Sequence, residues 1–513
     1  MRRYFRDKLE GSNLKSIFNL IITSYLYNKK YLQRMIFPVS MQHPSLTRFE
    51  PATTLDEIYL TISPEPLLTQ KEIDAFYREE MNKVRGEDKI QRLKLGLKRV
   101  IDTQQYYKAC LMGHTGVGKS TELTRLINDH EIKQHFEPLR FSVLSELDAI
   151  NFSPLDVFLF MVVEIVEKTA KISRQPSDEN LQKLWDWFSS EEFTRKETRE
   201  SQIKTEAGAG VKEDSFWNKI LGLFASLKGE FRFASSREKK VVEYRLSRSR
   251  DLINIANQLL KECDENLQET MQRSWLIIGE DFDKAGVSQE AVRDLFLNYS
   301  NIFKDLDIHI IFNIPIGLYN SSPGINLTFD HNLLIPDTPV FCQKDHTPNQ
   351  KGREAVRKVL EPRVKSNLFE DGQIERVIIA SGGNIRDLFY LVREASDEAI
   401  VNQQNLIISS HISRAIRSLR TEYERRLGQN PYDIDSVSYG DKVLLLKRIY
   451  DANPEAQIPN EVLYALLNDR AIQEVDGDGE RCFMVHPLVV DILNAQGHIP
   501  TAPDGGVPGG TSS

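Results

Sequence analysis

Apolar residues follow two patterns along this chain, short continuous runs and longer stretches in which they recur every three or four positions. The continuous runs are typical of buried strands, and the periodic stretches are typical of amphipathic helices. Four of the short runs predict strands: residues 106–112, 139–144, 275–278 and 308–312. Periodic stretches follow or separate these runs. The alternation of strands with helices predicts an α/β fold with a mostly parallel sheet that is covered on both faces.

The pattern changes along the chain and predicts successive segments. They are a basic N-terminal extension (residues 1–50), a helical collar (51–103), an α/β core (104–320) with a helical insertion (172–273), a helical lid (321–430), a winged helix (431–496) and a disordered tail (497–513). The winged helix is predicted from the order helix, helix, Gly-Asp-Gly turn at 477–479, strand and helix. The tail is rich in Pro, Gly and Ser, which predicts disorder.

Composition narrows the class of protein without assigning a function. The chain is 40% hydrophobic and 27% charged with a formal net charge of −8, which argues against wholesale coating of nucleic acid. Its four cysteines show no C-x-x-C spacing, so neither a zinc knuckle nor a disulfide framework is predicted, and a reducing cytoplasm is the expected location. No apolar run reaches the roughly 18 residues of a membrane span, so no transmembrane segment is predicted.

The start of the chain allows three interpretations. The first forty residues carry eight Lys or Arg and two acids around a short apolar segment, residues 17–26. That segment is too short and too polar to span a membrane, and no small-residue cleavage site follows it. A basic amphipathic surface helix, a targeting segment, and an upstream extension with the working start at Met41 all fit this pattern.

The octapeptide Gly-His-Thr-Gly-Val-Gly-Lys-Ser at residues 113–120 fits the phosphate-binding pattern G-x-x-x-x-G-K-[ST] between a predicted strand and a predicted helix. Its glycines let the backbone N–H groups point inward at the start of the helix, where they form a concave anion site. In such a loop Lys119 reaches the β- and γ-phosphates, and the Ser120 hydroxyl holds Mg²⁺. The sequence therefore predicts a bound nucleoside triphosphate. The residues predicted to bind it are Gly113, His114, Thr115, Gly116, Val117, Gly118, Lys119, Ser120 and Thr121.

A magnesium-bound triphosphate needs a carboxylate at the end of a second strand, to hold the metal and to orient the attacking water. The run Trp-Leu-Ile-Ile-Gly-Glu-Asp-Phe-Asp at residues 275–283 brings three acids to the carboxyl end of a predicted strand, where open α/β sheets bind their ligands. We assign Glu280 to the metal and Asp281 to water activation. The two roles can be exchanged, because the usual leading Asp is Glu here. Asp283 is assigned to a helix N-cap or a salt bridge.

Two further polar residues are candidates for contacts with the γ-phosphate. Asn313 follows the strand at 308–312, and its amide can hydrogen-bond the γ-phosphate or the attacking water, although Asn is also a common turn residue there. Arg386 lies in Ser-Gly-Gly-Asn-Ile-Arg-Asp-Leu at 381–388, which opens a predicted lid helix. Its guanidinium can reach the phosphates when the lid closes, and a surface arginine on an N-capped helix fits equally well.

Taken in order, GHTGVGKS, LIIGEDFD, the strand before Asn313, SGGNIRDL and the C-terminal winged helix resemble the AAA+ and STAND-type P-loop ATPases, including archaeal origin-recognition-like proteins and bacterial signalling ATPases. The resemblance covers about residues 70–495 and implies ATP as the nucleotide. It also implies that Asn313 matches the family's sensor 1 and that Arg386 matches its sensor 2. STAND proteins carry a diphosphate-sensing histidine in the winged helix. His486 lies at a comparable place, where a packed or capping histidine is equally expected.

The chain departs from these families in several ways. Arg293 is only the nearest candidate for an arginine finger, which argues against hydrolysis in trans within a ring. The sequence lacks the repeats and the nuclease or protease motifs that a typical STAND protein carries as sensor and effector. No guanine-reading N-K-x-D follows the core strands, which agrees with ATP.

The leading hypothesis is an ATPase with slow or regulated turnover that acts as a molecular switch. ATP would close the lid and the winged helix over the core, and the output would be assembly with a partner protein or with further copies of the chain. The family implies bacterial signalling or antiphage defence. The alternative is a DNA-directed loader that reads DNA with the winged helix, although its second predicted helix, residues 459–469, has no Lys or Arg for phosphates. A nucleotide-binding scaffold without turnover is the third hypothesis.

Overall fold

The computed structural model describes residues 49–101, 103, 105–190, 249–321, 329, 331–428, 437–477 and 480–500. Residues 1–48 of the predicted extension, 191–248 of the predicted insertion and 501–513 of the predicted tail lie outside the described residues. Among the helices within these ranges, none combines the length and the apolar character that crossing a bilayer requires.

A parallel sheet of five strands forms the centre of the fold. The strands are β1 (Lys108–Met112), β2 (Phe136–Ser142), β3 (Ser274–Glu280), β4 (His309–Ile314) and β5 (His331–Leu334). They lie in the order β2-β3-β4-β1-β5, and each neighbouring pair is parallel. Because the strands share one direction, their carboxyl ends meet at one edge of the sheet. The segments after β1, β3 and β4 are therefore brought together there.

Helices precede, connect and follow these strands. Before β1 lie α1 (Leu55–Thr61), α2 (Gln70–Phe76), α3 (Glu80–Val84) and α4 (Lys89–Val100). Between β1 and β5 lie α5 (Lys119–Asn128), α6 (His130–His135), α7 (Val143–Glu146), α8 (Pro154–Ile172), α9 (Asp178–Ser190), α10 (Ser249–Met271), α11 (Gln289–Arg293), a π-helical turn (Asp294–Asn298), α12 (Asn301–Lys304) and α13 (Ile316–Ser321).

After β5 the described chain is mainly helical. It contains α14 (Gln350–Leu360), α15 (Gln373–Ala380), α16 (Ile385–Val401), α17 (Ser409–Leu427), α18 (Tyr439–Tyr450), α19 (Glu461–Asn468) and α20 (Pro487–Ala495), with 3₁₀ turns at Ser366–Leu368 and Pro454–Gln457. Between α19 and α20 an antiparallel hairpin pairs β6 (Ile472–Gly477) with β7 (Glu480–Val485). The two helices, β7 and the last helix occur in the predicted order, β6 adds a strand before the turn, and residues 478–479 of the predicted turn lie outside the described residues. The winged-helix assignment itself stays a prediction.

The two faces of the sheet are buried against different helices, because side chains alternate along each strand. Cys110 and Phe312 belong to an apolar core that also contains residues of α8 and α10. Leu111 and Ile311, one position away on the same strands, belong to a second core with residues of α4 and α5. Both faces of the parallel sheet are thus covered, which confirms the predicted α/β class. The short strand β5 was not predicted, because its sequence His-Asn-Leu-Leu lacks β-branched and aromatic residues.

A third apolar core joins the C-terminal half of the chain to the start of the described residues. It contains residues from α14 to α20 together with Ala52, Leu55 and Met81. The backbone N–H of Ala52 donates to the Arg363 carbonyl at 2.8 Å, and its carbonyl accepts from the Lys365 N–H at 3.0 Å. Since α4 packs under the sheet instead, the segment predicted as a collar is shared between two cores.

His309 makes the stability of the sheet dependent on pH. It begins β4, is 5% exposed, and accepts a hydrogen bond on Nδ1 from the Tyr107 N–H at 3.0 Å. Burial and the charge of Lys108 lower its pKa from 6.5 to about 4. Below pH 6.5 the unfolded chain takes up a proton that the folded chain refuses until about pH 4, so stability falls as the pH drops through this window.

We expect the shifted pKa of His309 to lower the free energy of unfolding by roughly 2 kcal/mol when the pH is lowered from 7 to 5. Urea denaturation at the two pH values measures it. His309→Asn should remove that part of the decrease, because the asparagine oxygen can accept the same N–H without titrating. The exposed His130→Asn serves as control and should keep the wild-type dependence. Equal pH slopes in wild type and His309→Asn would contradict the assignment.

Candidate functional site

The phosphate loop, residues 113–120, connects β1 to α5. Gly113, Gly116 and Gly118 have positive φ values of 147°, 95° and 104°, where other residues are strained. A Cβ at Gly116 would lie 2.3 Å from Oδ1 of Asn384, so the segment that opens α16 packs directly on the loop. A Cβ at Gly118 would meet nothing within 4 Å. The glycines thus provide both the curvature of the loop and an open side.

A cavity of about 120 Å³ lies on that open side. Its lining contains residues 115–122, Asp283, Lys284, Asn313 and Arg386. The rest of the lining comes from the N-terminal segment and the lid and combines apolar residues with polar and charged ones: Pro64, Glu65, Pro66, Leu67, Phe76, Tyr77, Arg78, Met81, Arg85, Val359, Arg363, Ile385 and Phe389. Segments that are far apart in sequence therefore meet around one cavity.

Lys119 is held at the base of this cavity. It is the first residue of α5 and is 4% exposed. Its Nζ donates to the carbonyl oxygens of Gly113 at 2.7 Å and His114 at 3.0 Å. It also forms an ion pair of 2.7 Å with Oδ2 of Asp283. The two loop carbonyls and Asp283 thus fix the ammonium group at the lining of the cavity.

Asp283 is the acid of the 280–283 run that lines the cavity. Its Oδ2 accepts from Lys119 and from the Thr115 hydroxyl at 3.0 Å. Burial would raise its pKa, but the charge and hydrogen bond of Lys119 outweigh burial and hold the pKa below its usual value. Asp283 is therefore ionised at neutral pH. A salt bridge is one of the two roles predicted for this residue, and the structure contains it.

Glu280 ends β3 and is buried beneath the phosphate loop. Its Oε2 forms an ion pair with Nε of Arg140 on β2. The same guanidinium donates to the Thr124 hydroxyl at 2.9 Å and to the Ser120 carbonyl at 3.1 Å. Arg140 thus ties the predicted metal acid to the first turn of α5. It was not predicted as a site residue, because an arginine within a strand run carries no local signal of this contact.

Asp281 does not line the cavity. It has a φ of 68°, which turns the chain away from the direction of β3. Its Oδ2 accepts from the Ser142 hydroxyl at the end of β2, and its Oδ1 lies 3.8 Å from Nζ of Lys284. Asp281 and Asp283 therefore have different hydrogen-bond partners, and Asp283 is the one in the cavity lining. The predicted role of Asp281 in water activation stays a prediction.

Asn313 is the fifth residue of β4, is 1% exposed, and lines the cavity opposite Leu111 of β1. Its side-chain Oδ1 is buried and has no hydrogen-bond partner among the described residues. The same holds, within the described ranges, for Oε1 of Glu280 and Oδ1 of Asp283. Three unpaired oxygen atoms thus come from the carboxyl ends of two adjacent strands. Buried polar groups of this kind are normally satisfied by a ligand, an ion or water.

These oxygen atoms suit Mg²⁺, the metal that a triphosphate site implies. Mg²⁺ prefers oxygen ligands and is usually held by one or two carboxylates together with phosphates. The residues present therefore fit a magnesium ion shared with phosphates.

Arg386 and Lys284 add positive charge to the lining of the cavity. Both line it together with Lys119. Burial and the nearby charge of Arg386 lower the pKa of Lys284 below its usual value. Cations held this close repel one another, and a polyanion between them would remove the repulsion. Lys284 was not predicted, since a lysine after an acidic run is a common surface residue.

Two histidines predicted to bind the cofactor have side chains outside the cavity lining. His114 is buried against Asp337 and the Leu467 carbonyl. His486 is the N-cap of α20, where its Nδ1 accepts from the Leu488 N–H at 3.2 Å, and its ring stacks on Tyr423. Burial lowers the pKa of His486 to about 4, so it is neutral at pH 7. The structure thus gives His486 the capping role that the sequence analysis left open, and its sensor role stays a prediction.

No protein-family model matches the sequence, and no curated protein does. The ORC1 protein of Aeropyrum pernix, solved in complex with DNA, is 13% identical over 87% of this chain and 97% of that chain, with a TM-score of 0.35. The ORC2 protein of the same organism, solved in ADPNP-ADP complexes, is 10% identical over 83% and 100%, with a TM-score of 0.34.

The Holliday junction branch migration motor RuvB of Thermotoga maritima is 10% identical over 86% of this chain and 100% of that chain, with a TM-score of 0.32. Similarities this low carry no argument about function. The class of the protein follows from its own elements, a parallel five-stranded sheet with a phosphate loop after β1. The chain is an α/β protein with a P-loop core.

Proposed function

We propose that this chain is an ATPase with slow or regulated turnover. The observation that carries the proposal is the cavity in which the phosphate loop, an ionised acid, a buried amide and the lid arginine meet. Each of these groups has a role in phosphoryl transfer, where catalysis consists mainly of positioning and charge stabilisation. Their convergence from separate elements is difficult to explain by packing alone, because it leaves three buried oxygen atoms without partners among the described residues.

The roles follow from the contacts. Phosphates would draw Lys119 away from Asp283 and take its charge-assisted hydrogen bonds. Ser120 and Glu280 would hold Mg²⁺, which when bound neutralises charge on the phosphoryl oxygens. Asp283, freed from the ion pair, would orient and deprotonate the attacking water. Asp281 remains the alternative for this step.

Asn313 and Arg386 would contact the γ-phosphate from opposite sides, the core and the lid. The apolar residues of the lining, which include Leu67 and Phe389, would contact the nucleotide base. Adenine, and therefore ATP, is proposed from the family resemblance. The free thiol state of the cysteines fits the proposed cytoplasmic location.

The lid contacts support a switch. Asn384 Nδ2 donates to the Thr115 carbonyl at 3.0 Å, so the start of α16 is bonded to the phosphate loop itself. A change in the loop on binding or hydrolysis would therefore change the docking of the lid. The proposed output is assembly with a partner protein or with further copies of the chain, in bacterial signalling or antiphage defence as the resemblance implies. Light scattering with ADP, ATP and a non-hydrolysable analogue tests it, and an unchanged mass in all three would reject assembly with itself.

Calorimetry on the folded protein tests the nucleotide site. We expect heat of binding with ATP and ADP in the presence of magnesium, and weaker or no heat with GTP. Phosphate release then measures turnover. If no nucleotide produces heat, the proposal is rejected. If ATP binds but phosphate release equals the uncatalysed background, the protein is a nucleotide-binding scaffold.

The DNA-directed alternative is separable from the switch. Helix α19 presents Glu461 as its charged residue, and its Leu463, Leu466 and Leu467 are buried. A helix of this composition has no cation for phosphate contacts. We therefore expect no salt-sensitive binding of duplex DNA and no stimulation of ATP turnover by DNA. Either result would favour the loader.

A further inference from the structure

The second residue of the phosphate loop contacts the C-terminal elements. Nε2 of His114 lies 3.0 Å from the carbonyl oxygen of Leu467, in the last turn of α19. Its Nδ1 lies 2.5 Å from Oδ2 of Asp337, which also accepts from the Glu474 N–H of β6 at 3.1 Å. Both ring nitrogens thus lie within hydrogen-bond distance of an oxygen atom. His114 therefore connects the loop to α19 directly and to β6 through Asp337.

Asp337 is buried beside His114. Burial would raise its pKa, but the electrostatic interaction and hydrogen bond with His114 and the charges of Arg85 and Arg470 together lower it. Asp337 is thus ionised at neutral pH. A buried polar pair in which each partner has further contacts is geometrically restrictive, and loss of one partner leaves the other unsatisfied, which is costly. The docking of α19 on the loop therefore depends on a single well-defined arrangement.

Two further residues close to Leu467 contact the helix after β4 and the start of α16. A Cβ at Gly317, in α13 just after β4, would lie 2.4 Å from Oδ1 of Asn468. Arg470 donates to Oδ2 of Asp387 at 2.5 Å, and Asp387 is the residue after Arg386 in the lid. We call residues 467–470 the α19 turn. Within this turn, three residues contact the phosphate loop, the helix after β4 and the start of α16 respectively.

We infer that the α19 turn couples the occupancy of the phosphate loop to the docking of the C-terminal helices and hairpin. The inference rests on the proposed function. The link inside the site is Lys119, whose Nζ donates to the His114 carbonyl at 3.0 Å. When phosphates take that ammonium group, the peptide that carries the His114 ring loses a hydrogen bond, and the ring with its bond to Leu467 shifts with it. Coupling is reciprocal, so the docked α19 turn also sets the affinity of the loop for nucleotide.

The experiment compares wild type with His114→Phe/Asp337→Asn, which removes the bond to Leu467 without leaving a buried carboxylate. Hydrogen exchange of residues 461–477 is measured without nucleotide and with saturating ADP or ATP, and calorimetry gives both dissociation constants. Wild type should show nucleotide-dependent exchange in this segment. The double variant should lose that dependence, and its ratio of ADP to ATP affinity should change by about 5-fold or more.

Controls separate coupling from general damage. His130→Phe, on the exposed first residue of α6, should behave as wild type. Gly317→Ala adds a methyl group against Asn468 of the α19 turn, and it should also reduce the nucleotide dependence of hydrogen exchange. Combining it with Asn468→Ala should restore that dependence, because the three atoms nearest the added methyl group belong to Asn468. Nucleotide-dependent exchange that persists unchanged in the His114 variant overturns the inference. Absence of nucleotide binding by the wild-type protein rejects the proposed function instead.

Discussion

Lys119→Ala is expected to abolish nucleotide binding, with a dissociation constant raised at least about 100-fold, or roughly 3 kcal/mol. The reason is that Lys119 is fixed by the carbonyl oxygens of Gly113 and His114 at the concave side of the loop. Alanine leaves the backbone N–H groups but removes the cation that would neutralise the β- and γ-phosphates. Calorimetric titration with ATP in magnesium measures the loss.

The same substitution leaves Asp283 buried without its cation, which costs about 3–5 kcal/mol of stability. Lys119→Ala/Asp283→Asn separates that effect, because a neutral amide needs no counter-charge. We expect this double variant to unfold closer to wild type and still to bind no ATP. Lys133→Ala, on the exposed side of α6, is the matched lysine control. Wild-type affinity in a folded double variant would show that the phosphates bind elsewhere.

Asp283→Asn is expected to lower the turnover number by about 10²–10⁴-fold, the usual contribution of a general base. Binding of ATP should be kept or strengthened, because Lys119 no longer has to leave an ion pair of 2.7 Å. Single-turnover measurement of phosphate release, with binding measured separately by calorimetry, distinguishes the two effects. Asparagine has nearly the same shape and can still accept from the Thr115 hydroxyl.

Asp281→Asn is the matched control, two residues away and with the same chemical change. Since Asp281 contacts Ser142 and Lys284 and is absent from the cavity lining, we expect the turnover of this variant to stay within a few fold of wild type. The opposite pattern, with activity lost in Asp281→Asn and kept in Asp283→Asn, would return water activation to Asp281. Loss of activity in both variants would mean that the two acids act together.

The local sequence was sufficient to predict the phosphate loop. Glycine at 113, 116 and 118 satisfies a backbone requirement that is visible as positive φ in the structure. The strand before the loop and the helix after it follow from their own patterns of apolar residues. The parallel arrangement then brings the ends of β3 and β4 to the loop without further information.

The sequence pattern does not show which of Glu280, Asp281 and Asp283 lines the cavity. That choice depends on the left-handed φ of 68° at Asp281, which ends the extended path of β3. Nothing in Gly-Glu-Asp-Phe-Asp marks which residue takes a left-handed conformation. Asp283 could have been favoured only by its distance of three residues from the strand end, which places it over the loop once that turn is made.

Contacts between distant segments account for the other differences. His114 has the same position in the sequence pattern whether its ring faces the nucleotide or the protein interior. Its direction is decided by Asp337 and Leu467, more than 200 residues further along the chain. Arg140 and Lys284 are comparable cases, because their partners lie on other elements. Long-range packing of this kind leaves no periodic signal in a single sequence.

The core that contains Ala52, Leu55 and the helices from α14 to α20 has a mechanical consequence. Because the first helix of the described chain packs in the same apolar core as the lid and the C-terminal hairpin, displacing the lid would expose apolar surface on all three. A ligand in the cavity would contact this core at Phe389 and the end of a sheet strand at Asn313. It would thereby hold the two parts against each other.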